Sequence, residues 1–225
     1  MVVIKQRFDP DDHYNGTNKI QFIVIHDTGN VTDSDEGNAN YFCTGTRNAS
    51  AHYFVDDDSI TQVVRDTDGA FHCGDGHGQY GITNNNSLSI EMCRVNGVVT
   101  AKTEANCLDL VRIKMALYKV PLIKIVRHYD ASRKNCPSSF NLDNKWTRWI
   151  NFKAKIGKVV VAKTTVPSVK TAVVTASSLN IRSGAGAGFP VVGTLKQGDV
   201  VKIANLQNGF YFCDHGGYIS AQYVK

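Results

Sequence analysis

The sequence predicts an α/β domain with a mixed β-sheet flanked by helices, followed by a small all-β barrel. Short β-branched runs alternate with helical patterns through roughly the first 150 residues. Near the chain end, strands broken by Gly, Pro and Asn-Gly turns crowd into about 50 residues, close to the lower limit for independent folding. The charge divides the same way. Residues 1–150 carry 16 Lys and Arg against 18 Asp and Glu, a net of −2, whereas residues 151–225 carry 9 against 2, a net of +7. Two units meeting different partners are expected, with bounds 1–152 and 173–225 and a linker over 153–172.

In the first unit, "IQFIVIH" (20–26), "HYFVD" (52–56), "ITQVV" (60–64), "SLSIEM" (87–92) and "IKIVRH" (123–128) are bounded by Asp, Asn and Gly and read as strands. A helix is expected from Ser34 to Phe42. Another follows Thr103 as N-cap, where Leu108, Val111, Met115 and Tyr118 repeat at helical spacing. The stretch around Trp146 and Trp149 is helix-like. After it, "NFKAKIGKVVVAKTTVPSVKTA" holds five lysines and no acid, so it reads as linker with β-propensity at Val159–Val161.

Composition excludes some classes. Apolar residues make 42% and charged ones 20%, and no apolar run nears the roughly 18 residues of a membrane span, so no membrane partner is expected. The N-terminus lacks the pattern of a secretory signal. Six cysteines without a CxxC pair suggest reduced thiols. Nucleic acid is not an expected partner, because the basic residues of the barrel are spread out and lack interleaved aromatics for stacking.

The chemistry-bearing residues gather at strand ends. "FIVIH" ends in His26 and "IKIVRH" in His128, with Cys136 eight residues later. Open sheets place ligand crevices at such ends, and a His₂Cys set would leave a metal one open position. The alternative is two strand-terminating histidines and a core thiol. In "SLSIEM", Leu88, Ile90 and Met92 face one way and Ser87, Ser89 and Glu91 the other, which places a carboxylate on a polar face as a candidate general base.

"VIHDTG", "SAHYFVDDDSITQVV", "FHCGDG", "SLSIEMC" and "RHYDASRKNCP", in this order, resemble the zinc-dependent N-acetylmuramoyl-L-alanine amidases of phage endolysins and peptidoglycan recognition proteins. "LNIRSGAG", "PVVGTLKQGDVV" and "GYISAQYV" resemble a bacterial SH3-type wall-binding module. The pair is similar to a phage endolysin or bacterial autolysin. The resemblance implies zinc held by His26, His128 and Cys136, and catalysis by Glu91 with oxyanion support from Lys134. It also implies substrate contact by His72 and Thr28, with His52 either a groove residue or a packed strand histidine. Ala51 departs from relatives that carry tyrosine at that position, which puts more weight on Glu91.

The implied reaction is cleavage of the amide between N-acetylmuramic acid and L-alanine in peptidoglycan. The enzyme would be made in the bacterial cytoplasm and reach the wall after release, through a holin if phage-encoded. A recognition protein that binds muropeptides without cutting is the alternative, disfavoured by the cysteine ligand. His13, His77 and His215 are expected at the surface, and "GDGHGQYG" is expected to be a flexible groove loop. Among the barrel aromatics, Phe210, Tyr211, Tyr218 and Tyr223 are candidates to face a ligand, with about half of them core.

Overall fold

Two six-stranded sheets and a two-stranded one, His13–Tyr14 with Gly69–Ala70, account for the described strands. The computed structural model describes residues 3–157, 170–182 and 184–225. The first unit comprises β1 (Val3–Gln6), β2 (His13–Tyr14), β3 (Phe22–Asp27), α1 (Asp35–Phe42), β4 (Tyr53–Val55), β5 (Ser59–Gln62), β6 (Gly69–Ala70), β7 (Ser87–Met92), α2 (Ala101–Tyr118), β8 (Ile125–Arg127), α3 (His128–Ser132) and α4 (Thr147–Gly157). Its main sheet has the order β1-β5-β4-β7-β3-β8. The sheet is mixed: β4, β7, β3 and β8 run parallel and β5 opposes β4.

β3 is buried at every position, which explains its near-continuous apolar run. Ser34 caps α1 by accepting the Gly37 N–H, and Asp35 and Glu36 in the first turn complement the helix dipole. On the other face, α2 packs Leu110 and Val111 against Ile23, Ile25, Leu88 and Ile90. Leu110 is fully buried, and its truncation to Ala would cost about 2–5 kcal/mol.

Four features differ from the sequence expectations. The edge strand β1, parallel to β5, was not anticipated. Thr100, not Thr103, caps α2, because its side chain accepts the Thr103 N–H. Leu122–Lys124 form a 3-10 turn, so β8 begins at Ile125 and His128 opens α3 instead of closing the strand. Finally, regular structure enters the expected linker from both ends. Trp149, Phe152 and Ile156 form the buried stripe that carries α4 to Gly157, and β9 (Lys170–Val173) starts before residue 173. Val159–Val161 lie outside the described residues.

β9 is followed by β10 (Ser178–Arg182), β11 (Val191–Lys196), β12 (Val200–Gln207), β13 (Phe210–Cys213) and β14 (Gly217–Ser220). They form one antiparallel sheet in the order β11-β10-β14-β13-β12-β9, as expected of the all-β unit. Asn208 and Gly209, at φ 49° and 77°, make the two-residue turn between β12 and β13. Among the described residues, no helix is long and apolar enough to cross a membrane.

Candidate metal and catalytic site

The ends of β3 and β7 and the start of α3 converge on three donors. His26, His128 and Cys136 are 1%, 3% and 6% exposed, and their ligand atoms all lie within 4.8 Å of one another. Cys136 Sγ is 3.8 Å from His26 Nδ1, and the two imidazole rings are 4.6 Å apart between centroids. Three soft or borderline donors in so small a volume can hold a transition-metal ion.

Asp27, next to His26, holds the cysteine loop in place. Its carboxylate accepts the backbone N–H groups of Ser138 (3.1 Å) and Ser139 (2.7 Å) and pairs with Arg94 at 2.7 Å, while its carbonyl faces the Cys136 thiol. The Asp27 and Arg94 side chains are only 2% and 10% exposed. Removing either partner alone would strand a buried charge, at a cost of about 3–5 kcal/mol. Neither residue was given a role from sequence, although the adjacency of Asp27 to a strand-end histidine was a usable signal.

Hydrogen bonds behind the histidines fix their tautomers. Ser87 Oγ donates to the Thr83 carbonyl at 2.6 Å, so it can only accept from His72 Nε2 at 3.0 Å. His72 Nδ1 is therefore an acceptor, and it takes the proton of His26 Nε2 at 3.1 Å. That leaves the His26 Nδ1 lone pair turned toward Cys136 and Glu91. Asp75 does the same for His128 by accepting from Nε2 at 2.8 Å, which leaves Nδ1 free. Burial pushes both His26 and His128 below the usual imidazole range, and at His128 this outweighs the opposing pull of Asp75. Both are thus neutral donors near pH 7. Asp75 was missed in the sequence, where its Gly-rich surroundings read only as a flexible loop.

Glu91 faces the donors from β7. It is the register partner of His26, with Oε1 3.6 Å from His26 Nδ1 and Oε2 buried without a partner. Burial, aided by the charge of Asp27, pushes the carboxyl up to about 8. Such a group exchanges a proton near neutral pH. The Cys136 thiol is likewise held well above its ordinary value by burial, then by Glu91 and Asp27. Lys134 is exposed on the loop before Cys136, and its positive charge opposes both shifts.

The whole polar face of β7 serves histidines: Ser87 meets His72, Ser89 meets His52 and Glu91 meets His26. His72 therefore buttresses His26 while remaining half-buried at the site. Of the two readings of His52, groove residue or packed strand histidine, its full burial fits the second and leaves it no surface for substrate. Its Nδ1 accepts the Ser89 N–H at 3.0 Å and its Nε2 lies 3.0 Å from the Asp68 carbonyl, as in a packed strand histidine. Thr28 is half-buried one residue beyond β3, with its backbone N–H on the Met92 carbonyl and its hydroxyl oxygen without a partner. His13 is also less exposed than expected, its side chain 7% accessible and 2.9 Å from Asn15.

The barrel aromatics separate. Tyr211 packs against the barrel core and Tyr218 is buried against α2, so neither faces a ligand. Phe210 and Tyr223 line a groove of about 790 Å³ with Asn180, Arg182, Asn208 and Gln222.

These features define a class: an α/β domain whose sheet end carries a His₂Cys donor set beside a proton-exchanging carboxylate, the donor chemistry of metal hydrolases, joined to a small antiparallel barrel. Residues 16–139 match the family model described as N-acetylmuramoyl-L-alanine amidase, and residues 177–225 match that of the bacterial SH3 domain. The chain belongs to the N-acetylmuramoyl-L-alanine amidase family. It is 30% identical over 161 residues to the N-acetylmuramoyl-L-alanine amidase CwlL of Bacillus licheniformis, a match covering 65% of this chain and 44% of that one. The chain thus spans about half the length of the first curated relatives it matches. Among solved structures, a mutant endolysin from Bacillus subtilis is similar, with 34% identity, a TM-score of 0.60, and coverage of 70% of this chain and all (100%) of that one. The PlyG catalytic domain matches at 28% identity and a TM-score of 0.61, over 72% of this chain and 99% of that domain.

Proposed function

We propose that the chain is a zinc-dependent peptidoglycan hydrolase that cleaves the amide between N-acetylmuramic acid and L-alanine, with the barrel holding it to the bacterial wall. The observation that carries this reading is the Glu91 carboxyl, pushed up to about 8 and placed 3.6 Å from the donor face of His26. A site built only to bind would gain nothing from a proton-exchanging group there.

Zinc suits the donors. His26 and His128 are neutral with their Nδ1 lone pairs free, and Cys136 is a thiol that loses its proton when it ligates. When bound, zinc supplies Lewis acidity, lowering the pKa of a water and polarising an amide carbonyl. Glu91 takes a proton from the water that adds to the lactyl carbonyl. Glu91 then passes that proton to the departing alanine nitrogen. Lys134 lends positive charge to the carbonyl oxygen as it becomes anionic. At the half-buried rim the unpartnered Thr28 hydroxyl offers a polar contact to the substrate, while His72, with both ring nitrogens engaged, offers only its ring edge. The products are a free lactyl carboxylate and a new amino terminus.

The test is digestion of purified wall, comparing new N-terminal alanine with new reducing sugar ends. Alanine alone supports the reading, reducing ends replace it with a glycosidase, and neither leaves the muropeptide-binding protein.

A further inference from the structure

The alternation of β13 and β14 sends Tyr211, Cys213 and Ile219 into the barrel core. The outward side chains between them ought to meet water. Instead Phe212 and Tyr218, cross-strand partners, are 1% and 6% exposed and pack with Leu117 of α2. Their rings meet edge to face, 5.3 Å apart between centroids.

The helix is equally unusual on its side. Lys114 stands mid-helix with a completely buried side chain, paired with Asp66, whose side chain is 1% exposed. Asp66 also accepts the hydroxyls of Tyr53 and Tyr118, each at 2.7 Å, and the Gln62 amide at 3.1 Å. The lysine ammonium lies 4.6 Å from the centroid of the Phe212 ring, and the Tyr118 hydroxyl reaches the Asp214 carbonyl at 3.3 Å. The turn between β13 and β14 fits the same surface. Gly216, at φ +77°, lies so close to Gln62 that an added Cβ would sit 3.1 Å from its amide.

We infer that the barrel is a fixed cap, not a freely tethered module: Phe212 and Tyr218 dock on Leu117, Tyr118 and Lys114 of α2, and the two units tumble and unfold as one body. A lysine with its carboxylate partner needs every side desolvated or satisfied, and Phe212 supplies the last side as a cation–π face. Docking also decides which barrel surface stays open. The surface around Phe212 and Tyr218 is consumed, with Phe210 packed at its edge, and the groove bounded by Asn180, Arg182, Gln222 and Tyr223 is left for a ligand. That last step rests on the wall-binding reading, whereas the docking does not.

Trp146 and Trp149 are the two tryptophans of the chain and both lie in the first unit, so tryptophan emission reports that unit alone. In the full chain, Phe212→Ala is expected to lower the tryptophan-reported midpoint of thermal unfolding by roughly 4–10 °C. Val200→Ala, at a 64% exposed barrel position, should leave it unchanged. Nitroxides on Asp109→Cys and Lys196→Cys, in a Cys43→Ser background, should give one narrow distance distribution that broadens on adding Phe212→Ala. A broad distribution without that substitution, or a tryptophan midpoint indifferent to Phe212→Ala, overturns the inference whether or not the chain cleaves peptidoglycan.

Discussion

His26 and Glu91 are register partners on the adjacent parallel strands β3 and β7, and their facing atoms, Nδ1 and Oε1, are 3.6 Å apart. The sheet ladder therefore sets the distance between the donor face and the proposed base. Glu91→Gln keeps the shape of the side chain but cannot accept a proton. It should retain zinc and fold while turnover on purified wall falls about 10²- to 10⁴-fold. Near-normal turnover by the zinc-loaded variant would move the base role to another group.

Cys136 enters metal binding as a thiol, since burial holds its pKa well above the ordinary value. Zinc uptake by the metal-free chain should release about one proton per ion near pH 7. Calorimetric titration in buffers of different ionisation enthalpy measures that number. Cys136→Ser and His26→Ala should each lose most of the zinc. Full zinc in both would show the donor set to be wrong.

Much of this site was legible in the sequence, because a buried parallel strand leaves its last polar residue at the crevice end, and His26 is such a residue. The alternation of "SLSIEM" likewise put Glu91 on the polar face of its strand. What alternation cannot give is the neighbour: that β7 lies beside β3, with Glu91 level with His26, depends on strand order. Asp75 was hidden for a similar reason. Its partner His128 is 53 residues away, and nothing local marks a loop carboxylate as an anchor. Nothing in the sequence around Lys114 marks it as buried, because the residue that covers it, Phe212, belongs to the other unit.

The outer partners of the histidines should govern zinc affinity. Asp75→Ala removes the acceptor that keeps the His128 proton on Nε2. Ser87→Ala cuts the relay that fixes His72 and, through it, His26. Each should weaken zinc binding about 10- to 100-fold without removing a ligand. Competition against a chelator of known affinity measures the change, and affinities within twofold of the parent would show that the ligands hold their orientation unaided.

His52 should make the metal-free chain sensitive to acid. Burial lowers its pKa from 6.5 to about 4, so above pH 6.5 it is neutral in both folded and unfolded chains and costs nothing. As pH falls below 6.5 the unfolded chain takes up the proton first, and stability declines until about pH 4. The total loss is ~3 kcal/mol at 1.36 kcal/mol per pKa unit. Urea midpoints at pH 7 and pH 5 test this. His52→Asn should lower stability at pH 7 yet flatten the dependence between the two pH values, and an unchanged slope would place the acid sensitivity elsewhere.

The barrel poses a choice between charge and shape. Residues 151–225 carry a net charge of +7, which favours any anionic wall polymer. The open groove says otherwise, because its polar residues Ser178, Asn180, Asn208, Ser220 and Gln222 are uncharged and, among the described residues, Arg182 is its one cation. Neutral hydrogen-bonding groups beside Phe210 and Tyr223 suit a glycan or short peptide with many polar groups and little charge. Attraction by charge alone fades once salt shortens the screening length to about 3 Å, near 1 M. Contacts made inside a groove do not. Binding of the full chain, carrying Glu91→Gln to prevent digestion, should therefore persist on purified wall in 1 M salt. Tyr223→Ala, at a 43% exposed position outside the barrel core, should then cost affinity at high salt as well as low. Complete release at 1 M salt, with Tyr223→Ala behaving like the parent, would return wall attachment to the basic surface and leave the groove without a ligand.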